Sequence, residues 1–347
     1  MISDSISPAV GSREDEALAI WMDPSARMMP QLYRLHRSLQ AGVVPAGALY
    51  VSPHQSMKWL ALHEAWSPAR QSSQVGSLYE TAFHELQRAI GDQHWNLVSL
   101  GCGGGQKEEQ CLGLFRRQPE AALLIDISPS LAMVSRDRVS PTCAAHAGVI
   151  DLEATPMSPS WCRRLLAVDE AGSESTRPRR VLFFLGMLPN MPVTTAWSLI
   201  RSWTEPGDLV LVSANLASET ELRNGLPGIL PQYDNRETRE WVGAFFDLHG
   251  IFGVAEELAC DVEAVPVPGS TLARIRFQWT PTEDRTVRLP GMAPVEWEAG
   301  RPITAFQSLR LTPSAVESLA KDANLTLRFQ QVDTSGQEGV FLFERHS

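Results

Sequence analysis

Four glycines lie within five consecutive positions of the stretch "NLVSLGCGGGQKEEQ", residues 96–110. An apolar run precedes them, and a segment able to form a helix follows. Because glycine lacks a Cβ and adopts positive φ readily, such a turn lets a ligand lie against the main chain and the helix N-terminus. The pattern makes Gly101, Gly103 and Gly104 candidate ligand-binding residues.

The residues around these glycines argue against two phosphate-containing ligands. A phosphate-binding loop needs glycine at position 106 and a hydroxyl residue at 108, where the chain has Gln106 and Glu108. A dinucleotide fingerprint also needs glycine at position 106, so NAD binding is weakened without being excluded. The remaining candidate is S-adenosylmethionine (SAM), whose ribose binds a carboxylate and whose methionine end binds backbone groups.

Two acids end apolar runs further along the chain. Asp126 lies 25 residues after Gly101, and its carboxylate can accept hydrogen bonds from both ribose hydroxyls. Ser128 follows it and joins the candidate cofactor site. Asp151 ends the run "GVI", where it can bind the adenine amino group with Leu152 against the ring.

Each feature also has a local explanation. The glycines could form only a tight turn, and Asp151 could be a loop acid. Ser128 could cap a helix that begins near Pro129. Because the features all fall at strand ends, on the edge where open α/β sheets bind ligands, their joint order favours a binding site.

The elements that must position these residues alternate between strands and helices. Apolar residues recur at helical spacing over residues 74–91, and short apolar runs then alternate with helical segments. Such alternation is typical of a mostly parallel sheet covered on both faces. The predicted strands are 95–100, 121–127, 146–150, 180–186 and 208–216, and the predicted helices are 105–117, 129–138 and 193–203.

The alternation stops after the fifth of these strands. Strand-like runs occupy 271–279 and 285–291, a helix is predicted over 312–323, and two final strands, 325–332 and 339–345, flank a turn signal. A parallel sheet completed by a C-terminal hairpin is typical of class I SAM methyltransferases and unusual in plain dinucleotide-binding sheets.

Composition limits the environment and the partners. A chain of 347 residues suggests about two domains. Five scattered cysteines without a C-x-x-C pair indicate free thiols in a reducing compartment and no structural metal. No secretory signal or membrane-length apolar run occurs, so the sequence predicts a cytoplasmic protein without a membrane partner. A net charge of -10 disfavours nucleic acid, which leaves a small-molecule partner.

Six segments, in the same order, resemble the histidine-specific SAM methyltransferases of the ergothioneine pathway. The resemblance is remote in identity but runs through most of the chain. The segments are "HEAWSPARQS" (63–72), similar to the family's "EYYPTR"; "SLGCGGGQK" (99–107), similar to its glycine turn; "LLIDISPS" (123–130), similar to "VDVSP"; "FFLGMLPN" (183–190), similar to "FLGSTIGN"; "QYDNRE" (232–237), similar to "YDD"; and "EAGRPITAFQSLRLTP" (298–313), similar to the substrate motif that begins "GERIHTE".

The resemblance implies an α/β fold, with a class I, Rossmann-like core, a C-terminal antiparallel hairpin and a smaller α+β substrate domain. Residues 1–73 and 216–311 would contribute to the substrate domain. Residues 74–215 would form the SAM-binding core, and residues 312–347 would complete its sheet.

The resemblance also implies roles for single residues. Gly186 would join the cofactor site, with SAM as the cofactor. Asn190 and Tyr233 would hold the amino-acid portion of an acceptor, and Ser308 would lie in the substrate pocket.

Three positions depart from the family pattern. Phe306 stands where the family has an acid that grips the imidazole ring, Arg310 stands where it has a lysine, and Trp66 replaces one of two paired tyrosines. Since phenylalanine cannot accept a hydrogen bond from a ring nitrogen, the resemblance does not carry histidine over as the acceptor, and a flatter or less polar acceptor is compatible with these changes. Acids elsewhere could hold it instead, namely Glu64, Asp234, Asp247 and Glu298.

Methyl transfer from a sulfonium is an in-line displacement with a good leaving group, so the protein would contribute orientation and exclusion of water. A carboxylate or hydroxyl would hold an acceptor nitrogen deprotonated and aligned. We expect that group among Tyr233, Asp234, Ser308 and Asp247, although Tyr233 could equally be a packing residue.

Aromatic side chains could line the acceptor pocket or face the sulfonium, unless they pack in the core. The candidates are Trp66, Trp241, Phe245, Phe246 and Trp297. His54, His63 and His249 do not show metal-ligand spacing and receive no role.

Three functions fit these observations. The first is a small-molecule N-methyltransferase of specialised metabolism that acts on an amino-acid-like acceptor, at an α-amine, ring nitrogen or guanidine. The second keeps SAM but transfers to oxygen or carbon, or transfers another SAM group. The third is a catalytically idle SAM-binding partner or sensor. The mass of the product and the turnover of SAM separate them.

Overall fold

The computed structural model describes residues 20–66, 73–155, 158–166, 178–224, 226–267 and 270–346. Residues 1–19 of the N-terminal segment, and residues 67–72 of the "HEAWSPARQS" motif, lie outside the described part. Within that part, no helix is long and apolar enough to span a membrane.

The centre of the fold is an eight-stranded sheet in the order β1-β4-β3-β2-β5-β6-β13-β12. From β1 to β6 in this order, neighbouring strands are parallel, so their carboxyl ends share one edge. In chain order the strands are β1 (Ile20–Met22), β2 (Trp95–Leu100), β3 (Ala121–Asp126), β4 (Ala144–Val149), β5 (Arg179–Phe184), β6 (Leu209–Asn215), β7 (Ala259–Val267), β8 (Ser270–Trp279), β9 (Arg285–Val287), β10 (Val295–Trp297), β11 (Ile303–Arg310), β12 (Leu325–Val332) and β13 (Glu338–Arg345).

The C-terminal hairpin completes this sheet in antiparallel orientation. β13 pairs with β6, with Glu338 opposite Asn215, and β12 pairs with β13 at the outer edge. The start of β13 therefore lies at the same edge as the carboxyl end of β6. This arrangement is that of class I methyltransferases, so the predicted fold class is confirmed.

Helices cover both faces of the sheet, because successive strand residues point to opposite sides. In β2, Leu97 and Val98 belong to different apolar clusters, one on each face. The helices are α1 (Met28–Gln40), α2 (Pro53–Trp66), α3 (Ser73–Ile90), α4 (Gln106–Leu114), α5 (Pro129–Val139), α6 (Ser160–Leu165), α7 (Val193–Trp203), α8 (Glu219–Arg223), α9 (Arg236–Asp247), α10 (Val254–Glu257) and α11 (Pro313–Asp322).

Several predicted boundaries coincide with the observed ones. β2, α7 and β12 begin and end at the predicted residues, and the periodic apolar positions of α3 are buried. The predicted strand 285–291 ends instead at Val287, since Pro290 cannot donate to a ladder and Gly291 adopts a positive φ of 72°.

A second assembly combines distant segments. It contains the antiparallel sheet β11-β8-β7 and the β9-β10 hairpin. One apolar cluster joins Leu39 of α1, Trp241 of α9 and Phe306 of β11. The N-terminal helices therefore share a core with the region after β6, whereas β1 from the same N-terminal segment extends the main sheet.

Candidate active site

A cavity of about 810 Å³ lies along the carboxyl edge of the main sheet. Following the strand order, its wall contains Asp151 after β4, Asp126 at the end of β3, Gly101 after β2, Gly186 after β5 and Asn215 at the end of β6. Neighbouring strands are about 4.8 Å apart, so these residues form a row. The tertiary structure thus brings the glycine turn and both predicted acids to one cavity.

The glycine turn requires backbone that other residues adopt at a cost. Gly101, Gly103 and Gly105 have φ values of 69°, 54° and 73°. The backbone N–H groups of Gly101 and Cys102 donate to the carbonyl of Ile125 at 2.8 and 3.0 Å. The turn is therefore anchored to β3, with Gly103 and Gly104 also in the cavity wall.

Two side chains of the cavity wall use the space that the missing Cβ atoms leave. A Cβ on Gly101 would overlap the Sδ of Met187, and a Cβ on Gly103 would lie 2.7 Å from Cη2 of Trp59. The glycines were predicted to admit a ligand to the main chain. In the structure they also admit the indole of Trp59 and the thioether of Met187, which places both beside the turn.

Asp126 is buried, and backbone groups hold its carboxylate. Oδ2 accepts from the N–H of Gly103 at 3.0 Å, and Oδ1 accepts from the N–H of Ser128 at 2.9 Å. Burial raises the pKa of Asp126 to about 6, and the backbone hydrogen bonds oppose that rise. Ser128 caps α5 by accepting from the N–H of Leu131 at 3.2 Å and lies outside the cavity wall, so its local explanation applies.

Asp151 has a partner that the sequence did not suggest. Its Oδ2 lies 2.6 Å from Nη2 of Arg34 in α1, and its Oδ1 accepts from the N–H of Glu153 at 3.1 Å. Arg34 also donates to the carbonyl of Ser25 at 2.6 Å. Both Arg34 and the buried Leu152 line the cavity beside Asp151. The N-terminal helix thus reaches the end of the cavity predicted to hold adenine.

Another part of the cavity wall is aromatic. Trp59 stacks on His63 with centroids 5.1 Å apart, and Tyr50 meets Trp59 edge-on at 5.9 Å. Phe245 of α9 contacts His249 at 4.7 Å, and burial lowers the pKa of His249. All five side chains line the cavity. Of these five side chains, the sequence predicted a site role for Phe245. Trp59 and His63 received none because α2, which carries them, has no apolar stripe that would mark the face directed to the cavity.

Charged groups lie at the floor of the cavity, on the far side of the glycine turn. The hydroxyl of Tyr79 accepts from Nζ of Lys107 at 2.6 Å and donates to Oε1 of Glu338 at 2.6 Å. Glu108 accepts from the hydroxyl of Ser99 at 2.6 Å. Burial raises the pKa of Glu108 and of Glu338, and burial lowers the pKa of Lys107. Lys107, Glu108 and Glu338 line the cavity.

Sequence reasoning assigned no role to Lys107, Glu108 or Glu338. Lys107 lies in the segment quoted for the glycine turn, and its position in the first helical turn was a usable signal. Glu338 had none, since it reaches the cavity only because β13 pairs with β6.

Tyr233 and Ser308, both predicted to be catalytic, come together. The hydroxyl of Tyr233 accepts from Nδ2 of Asn215 at 2.9 Å and lies 3.3 Å from Oγ of Ser308. Asn215 and Asn190 line the cavity, whereas Tyr233 and Ser308 lie behind Asn215. Tyr233 and Ser308 therefore do not line the cavity themselves, and the side-chain amide of Asn215 connects them to it.

The other predicted substrate residues are engaged elsewhere. Asp234 lies 2.6 Å from Nη2 of Arg239, and Asp247 is exposed outside the cavity wall. Phe306 is buried against Trp241 because its strand, β11, faces the second core.

Arg310 and Trp66 also make contacts away from the cavity. Arg310 donates to the carbonyls of Leu216 and Gln337 at 3.1 and 2.9 Å and stacks over Tyr233. Trp66 is 40% exposed and donates to Glu237 at 2.9 Å. Five further candidates do not line the cavity: Glu64, Trp241, Phe246, Trp297 and Glu298.

The sheet order and the strand-end cavity define a class I methyltransferase fold. No protein-family model matches the sequence, and no curated protein matches it. Among solved structures, the chain is similar to a SAM-dependent methyltransferase from Clostridium acetobutylicum, with 8% identity, a TM-score of 0.41 and coverage of 84% of this chain and 98% of that chain.

Two further structures show the same degree of similarity. The N-methyltransferase NodS from Bradyrhizobium japonicum, in complex with S-adenosyl-L-homocysteine, has 9% identity, a TM-score of 0.41 and coverage of 84% of this chain and 99% of that chain. The amino pentose methyltransferase CalS10 from Micromonospora echinaspora has 12% identity, a TM-score of 0.39 and coverage of 82% and 96%. Similarities this weak do not establish an activity, which has to follow from this chain's own residues.

Proposed function

We propose that this protein is a SAM-dependent methyltransferase that acts on a small, amino-acid-like acceptor at nitrogen. The observation that carries the proposal is the row of Gly101, Asp126 and Asp151 along one sheet edge and in one cavity. Its volume of about 810 Å³ is near the upper end of the roughly 300–1,000 Å³ typical of ligand sites. The cavity therefore has room for a cofactor and a small acceptor.

The chemistry of the wall suits SAM. The carboxylate of Asp126 keeps lone pairs beyond those used by two backbone amides, and ribose hydroxyls can donate to them. Asp151 and Leu152 lie one strand further, where they offer an acceptor and an apolar surface for adenine. Beyond the turn, the ammonium of Lys107 offers a partner for a carboxylate. When bound, SAM would supply an electrophilic methyl group.

The acceptor side of the cavity supports a nitrogen acceptor with polar substituents. The amides of Asn190 and Asn215 face it, and Asn215 is held by its hydrogen bond to Tyr233. A fixed amide such as that of Asn215 orients a neutral amine, while the wall of Trp59 and Phe245 excludes water. The resemblance gives Asn190 and Tyr233 the role of holding the acceptor. In the structure Asn190 lines the cavity and Tyr233 holds Asn215 from behind, and the proposal takes the second assembly as the substrate domain.

A hydroxyl acceptor is the second candidate, and His249 favours it. The ring lines the cavity, and burial lowers its pKa, so the imidazole is neutral near pH 7. A neutral imidazole can take the proton of a hydroxyl group as its oxygen is methylated. Product mass after incubation with candidate amines and phenols and methyl-labelled SAM distinguishes the two acceptors.

Thermal unfolding with SAM, S-adenosylhomocysteine or NAD tests the cofactor. A ligand at a hundredfold its dissociation constant adds about 2.7 kcal/mol of stability. We expect both SAM species to raise the melting temperature of the wild-type protein and of the control Asp137→Asn, an exposed position. Asp126→Asn should lose the shift. Stabilisation by NAD alone would contradict the proposal.

A further inference from the structure

A relay of the half-buried Lys107 and the buried Tyr79 and Glu338 closes the floor of the cavity. Lys107 belongs to α4, Tyr79 to α3 and Glu338 to β13, and the Tyr79 hydroxyl connects the other two through hydrogen bonds of 2.6 Å each. Tyr79 is 1% exposed and Glu338 is 7% exposed. Three separate elements thus place an ammonium and a carboxylate on either side of one hydroxyl group, which is hydrogen-bonded to both.

Both ends of this relay remain available to a ligand. Lys107 and Glu338 line the cavity, whereas Tyr79 lies behind them. An ammonium has three donors, and the one hydrogen bond shown for Lys107 goes to Tyr79. The second carboxylate oxygen of Glu338, Oε2, makes no hydrogen bond within the described residues.

Burying these charges is costly unless they are paired and hydrogen-bonded. The positive charges of Lys107 and Arg310 act on the carboxylate of Glu338, and the positive charge of Lys107 also acts on Glu108. A zwitterion would bring one ammonium for Glu338 and one carboxylate for Lys107.

We propose that Glu338 binds the α-ammonium of the cofactor's amino-acid end, while Lys107 faces its α-carboxylate. The inference rests on the proposed function and extends it to a residue of the C-terminal hairpin. An α-amino acid carries its two charged groups on one carbon, which matches an anion and a cation separated by one hydroxyl. The relay then selects SAM over adenosine compounds that lack the amino acid.

Calorimetry with two ligands tests the proposal. S-adenosylhomocysteine has the amino-acid end, whereas 5′-methylthioadenosine keeps the adenosine and lacks it. In Glu338→Gln we expect affinity for S-adenosylhomocysteine to fall by about tenfold, the loss of one hydrogen bond to a charged group. Affinity for 5′-methylthioadenosine should be unchanged.

The control is Glu344→Gln at the other end of β13, where the carboxylate pairs with Arg179 at 2.9 Å. It should bind both ligands as the wild type does. Should Glu338→Gln fail to fold, Tyr79→Phe removes the relay hydroxyl while it keeps the ring, and the same selective loss is expected.

Equal losses for the two ligands, or no loss for S-adenosylhomocysteine, would overturn the role of Glu338. Those outcomes leave the proposed function intact, because both ligands still bind. Wild-type protein that binds neither ligand would instead overturn the proposed function, and this inference with it.

Discussion

The carboxylate of Asp126 accepts a hydrogen bond from the backbone N–H of Gly103 at 3.0 Å. This bond joins the end of β3 to the glycine turn after β2. The acid proposed to bind a ribose therefore also holds the turn that lies beside it. Cofactor affinity and the shape of the turn are coupled through one side chain.

Cofactor affinity should fall as the pH falls through 6. Burial raises the pKa of Asp126 to about 6, and only the ionised carboxylate accepts from both ribose hydroxyls. We expect binding of S-adenosylhomocysteine to weaken by about tenfold between pH 7 and pH 5, since only about a tenth of the carboxylate stays ionised. Calorimetry across this range measures it, and residual binding by Asp126→Asn should depend on pH less steeply than binding by the wild type.

The raised pKa of Asp126 also makes the stability of the folded protein depend on pH. Folding raises the pKa of Asp126 from its ordinary value of 3.8 to about 6. Protonation of this carboxyl therefore favours the folded state, and its stabilising effect is fully present at pH values below 3.8. That contribution is lost as the pH rises through about 6. Urea unfolding of the wild type and Asp126→Asn should therefore give a stability difference that changes between pH 4 and pH 6 and is constant above about pH 7. A constant difference from pH 4 upward would contradict the raised pKa.

Arg34 should affect the adenosine end of the cofactor. Its guanidinium holds Asp151 at 2.6 Å, and the pair lies at the end of the cavity proposed to hold adenine. We expect Arg34→Ala to weaken S-adenosylhomocysteine and 5′-methylthioadenosine equally, by several-fold, unlike the selective loss in Glu338→Gln. Stability should change by less than about 1 kcal/mol, because Arg34 is partly exposed. The matched control is Arg37→Ala in the same helix, and a loss limited to S-adenosylhomocysteine would argue against this placement.

Trp59 should distinguish SAM from its product. Its indole packs on Gly103, beside the acid proposed to hold the ribose, and the sulfonium sulfur is bonded to C5′ of that sugar. Because an aromatic face attracts a cation by about 0.5–2 kcal/mol, Trp59→Leu should weaken binding of SAM by about 2- to 30-fold more than binding of neutral S-adenosylhomocysteine. Trp66→Leu, at an exposed position of the same helix, should leave the ratio of the two dissociation constants unchanged. A parallel loss of both ligands in Trp59→Leu would indicate packing alone.

Alanine in place of Gly101 should destabilise the protein, and removing the side chain of Met187 should restore only part of the lost stability. An alanine there meets Met187 and must also adopt a φ of 69°. The left-handed conformation costs about 1–2 kcal/mol, so we expect Gly101→Ala to be destabilised and Gly101→Ala/Met187→Ala to be only partly restored. Gly113→Ala is the control, since that helical position has no heavy atom within 4 Å of an added Cβ. Urea unfolding measures all three variants, and full restoration by the second change would show that sterics alone operate.

The strand-end residues could be predicted because their signals are local. Asp126 and Asp151 follow apolar runs, and parallel strands place such ends on a common edge. The acceptor residues were harder to predict. Phe306 and Arg310 were interpreted from their positions in a motif, but β11 directs Phe306 into the second core and engages Arg310 with carbonyls. A motif position does not specify which face of a strand meets the cavity.

The sequence by itself determined the parallel core, its closing hairpin and the glycine-and-acid row, because hydrophobic period and strand ends are properties of short segments. Only the tertiary structure decided which distant groups complete the cavity. Arg34, Trp59 and Glu338 come from a helix, a second helix and the last strand, and they meet at the site through packing between distant elements. No local pattern specifies these contacts, since they depend on how the N-terminal helices and β13 pack against the rest of the sheet.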